Sequence, residues 1–135
     1  MNRYTRIQSV TFDGVDLPLP LQVRVSRRCE PQAAAGDGDA FVTSVQCSRP
    51  VLAAEVRLRG TAAAEALSPG QIGTLTFVVG PAAAGQAPRR VTLAGAVLTG
   101  ADVAYEQAGF AEATLRFVAE AADGLTDPHA AEDAQ

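Results

Sequence analysis

Arg90-Val91-Thr92-Leu93-Ala94-Gly95-Ala96-Val97-Leu98-Thr99-Gly100-Ala101-Asp102-Val103-Ala104-Tyr105-Glu106, and then Phe110-Ala111-Glu112-Ala113-Thr114-Leu115-Arg116-Phe117-Val118-Ala119-Glu120-Ala121, is the stretch that decides the fold class. In its last part Ala113, Leu115, Phe117 and Ala119 share one parity, while Glu112, Thr114, Arg116, Val118 and Glu120 share the other. Period two with one apolar side is a strand with a core face and a mostly wet face. Thr99-Gly100 and Ala108-Gly109 read as turns, so 90–98, 101–106 and 110–121 are expected to form a meander of hairpins.

Toward the N-terminus the same pattern recurs in short pieces separated by Gly, Pro and Asp. Gly73, Leu75, Phe77 and Val79 alternate with Ile72, Thr74, Thr76 and Val78, and Leu52, Ala54, Val56 and Leu58 with Ala53, Glu55, Arg57 and Arg59. Leu21, Val23 and Val25 alternate with Gln22, Arg24 and Ser26; Arg6 to Phe12 and Phe41 to Ser48 read as two further strands. Thr61-Ala62-Ala63-Ala64-Glu65-Ala66-Leu67 is the one run of helix formers, stopped by Pro69-Gly70. The expected fold is all-β with one short helix: two packed, mostly antiparallel sheets forming a sandwich or barrel. Residues 1–126 are expected to form a single domain, with a long loop at 28–40, an Ala- and Gly-rich loop at 81–88 and a flexible C-terminal tail at 127–135.

A chain of 135 residues is long enough to bury a core without metal or disulfide. All eleven basic residues are Arg, which excludes chemistry that needs a Schiff-base or P-loop lysine. Ten of these arginines stand against seven acids in residues 1–100, and Arg116 alone against eight acids in 101–135. The C-terminal third is therefore acidic, which disfavours sequence-reading of DNA through it. Cys29 and Cys47 could meet across a hairpin, but the commoner role is that of two small, partly buried side chains. With a single histidine they make a poor zinc set. The N-terminus shows no apolar run of the signal-peptide or membrane-span kind, so a cytoplasmic protein without a membrane anchor is expected.

A search for chemistry finds no constellation. His129 lies in the expected tail, where a solvated side chain outweighs a general base. Glu112 and Glu120 are about 26 Å apart along one strand, too far for a carboxylate pair. Asp37-Gly38-Asp39 lacks the later acids of a calcium loop, and Gly70-Gln71-Ile72-Gly73 lacks the lysine of a phosphate cradle. No catalytic, metal or cofactor residue is assigned, and the chain reads as a non-enzyme. A wet sheet face with long loops and no chemistry suits a subunit whose work is assembly.

Four pieces carry a family resemblance: Ser68-Pro69-Gly70-Gln71-Ile72-Gly73-Thr74-Leu75-Thr76-Phe77, the segment Val97 to Val103, the strand Ala111 to Phe117, and Asp123-Gly124-Leu125-Thr126-Asp127-Pro128. In this order, after a short helix and an N-terminal set of strands, the chain resembles the tail tube proteins of long-tailed bacteriophages and related injection machines. The resemblance covers roughly residues 68–128, somewhat under half of the chain. It implies a virion tail subunit, assembled in the host cytoplasm, that forms hexameric rings and stacks them into a channel for DNA. It implies a stacking loop, matched here by Arg28 to Ala40 with Glu30, Gln32, Gly36, Asp37, Gly38 and Asp39. Partners would be further copies of the chain, with tape-measure, baseplate and terminator proteins, and DNA as non-specific cargo. The resemblance also implies an acidic lumen, for which Asp102, Glu106, Glu112 and Glu120, with Arg116 as partial offset, are the candidate residues. The chain is short of aromatics and its loop is short for the family, which keeps a baseplate or terminator ring open. A β-sandwich binding or adaptor module is the rival reading; it would want an aromatic platform, which seven scattered aromatics do not supply.

Overall fold

The computed structural model describes residues 4–38, 40–42, 44–47, 49–81, 85–121 and 127–133. The chain is all-β, with packed antiparallel sheets and one short helix. Strands β1 (Tyr4–Phe12), β2 (Val15–Asp16), β3 (Pro20–Arg28), β4 (Pro31–Ala34), β5 (Ser44–Cys47) and β6 (Val51–Arg59) precede helix α1 (Ala62–Ala66). Then come β7 (Ile72–Pro81), β8 (Arg89–Ala104), β9 (Glu112–Ala119) and β10 (His129–Asp133). The main ladder runs β2-β1-β7-β8-β9-β6-β3, with β10 also paired to β8, while β4 and β5 form a separate two-stranded sheet.

Strand β8 holds the two halves of the sandwich together. Along one edge it pairs β7 from Arg89 to Val97. Along the other it pairs β10 from Arg89 to Leu93 and β9 from Ala96 to Ala104. Its first half thus belongs with β7 and β1, and its second half with β9, β6 and β3. The two layers meet on apolar side chains that alternation assigns inward: Val10 and Phe12 of β1, Leu75 and Phe77 of β7, Val56 and Leu58 of β6, Leu115 and Phe117 of β9. Phe12 and Phe117 touch across the layers, ring centroids 4.7 Å apart and planes at 56°. Burying each such side chain contributes about 1.5–3 kcal/mol.

The meander expected at 90–106 is one strand. Thr99-Gly100 is not a turn: β8 advances two residues, Leu98 to Gly100, while β9 takes one, Phe117 to Arg116. A second bulge sits at Ala94-Gly95, where β8 takes three steps from Leu93 to Ala96 against two on β7, and Gly95 adopts φ +68°. Each extra residue reverses parity. The inward set therefore reads Val91 and Leu93, then Ala96 and Leu98, then Ala101 and Val103. A parity break at a glycine has the same sequence signature whether the chain turns or bulges.

Other expectations are corrected at the ends and in the loop. Residues 129–133 are not a flexible tail, because His129 to Asp133 add a strand to β8 opposite Leu93 to Arg89. The loop at 28–40 contains a strand: Pro31 to Ala34 pair with Cys47 to Ser44. Cys29 and Cys47, whose pairing the sequence left open, are joined in a disulfide, with Cα atoms 5.4 Å apart. Tyr105 and Phe110, expected within the strands 101–106 and 110–121, are both exposed and lie outside β8 and β9. Strand β9 starts only at Glu112, and the Phe110 ring lies 4.6 Å beneath the Arg59 guanidinium. The helix forms as expected, burying Ala64 and Leu67, but Thr61 makes no side-chain cap.

Candidate functional site

Two surfaces gather the residues singled out in the sequence. The first is the outer face of β8, β9, β6 and β3, where register sets the rows. Arg24 of β3 lies opposite Glu55 of β6, which lies opposite Arg116 of β9, which lies opposite Gly100 of β8. In the next row Gln22, Arg57, Thr114 and Asp102 follow one another, and in the next Arg59, Glu112 and Ala104. Cross-strand neighbours at this spacing interact directly.

The ion pairs follow these rows. Arg57 donates to Glu112 at 2.8 Å, and this hydrogen bond with the adjacent negative charge raises the Arg57 pKa above its ordinary value. Arg116 donates to Asp102 and lies 3.9 Å from Glu55. Thr99 donates its hydroxyl to the Arg116 carbonyl at 3.2 Å. Three of the five residues expected to form an acidic wall, Asp102, Glu112 and Arg116, do share one face. That face is not acidic, because β6 and β3 place Arg57, Arg59, Arg24 and Arg28 beside them. Glu106 is in the turn after β8, and Glu120 lies just past β9, donating its backbone N–H to Gly95.

The arginines of β3 were legible as a wet face, but not as neighbours of the C-terminal acids. Strand order carries that information, and β6 enters between β3 and β9 from more than fifty residues away. Beside Ala53 the face sinks into a depression of about 270 Å³, rimmed by Arg24, Ser26 and Arg28 on β3 and by Thr99 and Arg116 across from them. Ala53 and Ser26 leave it open because their side chains are short.

The second surface is the arm built from β4, β5 and the turn between them. Glu30 and Gln32 lie on its first side, Gln32 opposite Gln46. Asp37 and Gly38 form a turn, with Gly38 at φ +85°, and Gly36 precedes them. Asp39 lies outside the described residues. Phe41, Val42 and Val45 are 84%, 53% and 64% exposed. The four paired positions on each side of the arm are all exposed, so neither side packs on the sandwich. Its disulfide, at the end nearest β3, replaces the core the arm lacks.

His129 sits in β10 opposite Leu93, and its backbone N–H donates to Asp127 Oδ1 at 3.0 Å. Among the described residues no three His, Cys, Asp or Glu side chains group as metal ligands, and no helix is long and apolar enough to cross a membrane. In comparisons with known proteins, no family model and no curated protein sequence matches the chain.

Proposed function

We propose that the chain is a structural subunit of a phage-like tail tube, self-assembling into rings that stack into a channel for DNA. The observation that carries this reading is the arm. It is a disulfide-closed hairpin lying off the sandwich and holding Phe41, Val42 and Val45 in water. Ordering an apolar hairpin away from the core costs conformational entropy and returns little hydrophobic burial in a lone subunit. A neighbouring copy that covers those side chains supplies the missing burial. The arm occupies the position of the stacking loop that the family resemblance implies, and an all-β sandwich suits a ring wall. Strand β3, at the end of the ladder, pairs with β6 alone among the described residues and offers its other edge for lateral contacts.

Negative-stain microscopy and sedimentation of the purified chain test the proposal. Rings and tubes are expected for the wild type, and folded subunits without tubes for Phe41→Ser combined with Val45→Ser. A wild-type chain that stays monomeric at high concentration overturns it.

A further inference from the structure

The depression beside Ala53 has the makings of an anion site. Its rim holds the guanidinium-bearing residues Arg24, Arg28 and Arg116, against Glu55 as the one acid among the lining residues. Arg116 is already engaged by Asp102 and Glu55. Arg24 and Arg28 have no ion pair among the described residues. They stand four positions apart on one face of β3, about 13 Å at strand rise. The two free guanidiniums therefore flank Ser26, whose hydroxyl is a further donor.

We infer that this depression binds the phosphodiester backbone of nucleic acid. Arginine forks match phosphate oxygens in pairs and stay charged at every working pH. The space, about 270 Å³, accepts a phosphate group with its adjoining sugar atoms and is small for a whole ligand of drug size. The only aromatic residue among those lining it is Phe117, whose side chain is buried in the core, so no base can stack there. Contact is confined to the backbone and is independent of sequence. The net negative charge of the chain does not oppose this, since on this face Arg24, Arg28, Arg57, Arg59 and Arg116 stand against Glu55, Asp102 and Glu112. The inference adds an attractive wall contact to the proposed DNA channel, but it stands on the depression alone.

Fluorescence anisotropy of a labelled short DNA duplex, titrated with the chain at low salt and then at rising salt, tests it. With two or three phosphates neutralised, log K should fall with log salt at a slope of about −2 to −3. Arg24→Gln with Arg28→Gln should reduce that slope by about 2 and weaken binding roughly tenfold or more at low salt, whereas Arg6→Gln on β1, away from the depression, should leave the slope unchanged. Circular dichroism checks that each variant is folded. Inorganic phosphate and poly-glutamate at matched ionic strength serve as competitors. Displacement of DNA by millimolar phosphate marks a free-phosphate site, and displacement by poly-glutamate at DNA-like concentrations marks a surface for acidic protein; either overturns the inference. So does wild-type binding in the folded double variant, or no binding by the wild type. A monomeric chain that binds DNA through Arg24 and Arg28 retains the inference while removing the assembly proposal.

Discussion

The Arg57 guanidinium bypasses Thr114, its direct partner in the β6–β9 register, and reaches diagonally to Glu112, 2.8 Å away. One carboxylate of the supposed acidic wall is thereby committed to a neighbour fifty-five residues earlier. Glu112→Gln should release Arg57 and make the outer face more positive. Duplex DNA binding at low salt should then tighten, by up to about tenfold for one added phosphate contact. Glu65→Gln on α1 should leave it unchanged. Anisotropy titrations of the two variants compare them directly.

The two glycines of β8 should respond differently to a methyl group. At Gly95 the backbone is at φ +68°, and an added Cβ would stand 2.8 Å from the Glu120 carbonyl oxygen. Gly95→Ala should therefore cost about 1–3 kcal/mol. Gly100 meets nothing within 4 Å and has no positive φ, so Gly100→Ala should be nearly neutral. Urea unfolding of both variants gives the comparison, and equal losses would show that the bulges do not differ as described.

Breaking the disulfide should loosen the arm and spare the sandwich, because among the described residues β4 and β5 pair only with each other. Limited chymotrypsin digestion should cut after Phe41 much faster in the Cys29→Ser, Cys47→Ser variant than in the oxidised chain. The thermal transition of the body should move little. Concerted loss of both would mean that the arm is part of the same cooperative unit.

Removing residues 127–135 should do more than trim an end. It strips β10 from the Arg89 to Leu93 edge of β8 and deletes the partners of Arg27 and Arg90, Asp127 and Glu132. An exposed edge beside Val91 and Leu93 invites pairing between chains. The truncated chain should aggregate on warming at a lower temperature than the full chain, as light scattering would show.

Alternation made the strands legible wherever one face was buried, as in Leu52 to Leu58 and Ala113 to Phe117. It failed where burial is absent. His129 to Asp133 read as a tail because an Ala- and acid-rich segment gives no amphipathic signal, yet backbone pairing to β8 suffices to order it. Pro31 to Ala34 gave none for the same reason, all four positions being exposed. The outer-face acids could be assigned to a wet face from parity, but their arginine partners could not, since no local pattern tells which strand lies beside which.

The ladder also dictates an order of events during synthesis. Strand β6 is complete at Arg59, but its β9 partner ends only at Ala119; β1 waits for β7, and β8 gains its full second edge only when His129 to Asp133 emerge. The pairings of the nascent chain are thus mostly long-range, and such contacts form late because loop closure must precede them. The hairpins β3–β6, which carries the arm, β7–β8 and β8–β9 are the sizeable local pieces among the described residues. Until Glu112 to Ala119 have emerged, the β6 edge opposite them stays open, and a holding chaperone has its longest opportunity there.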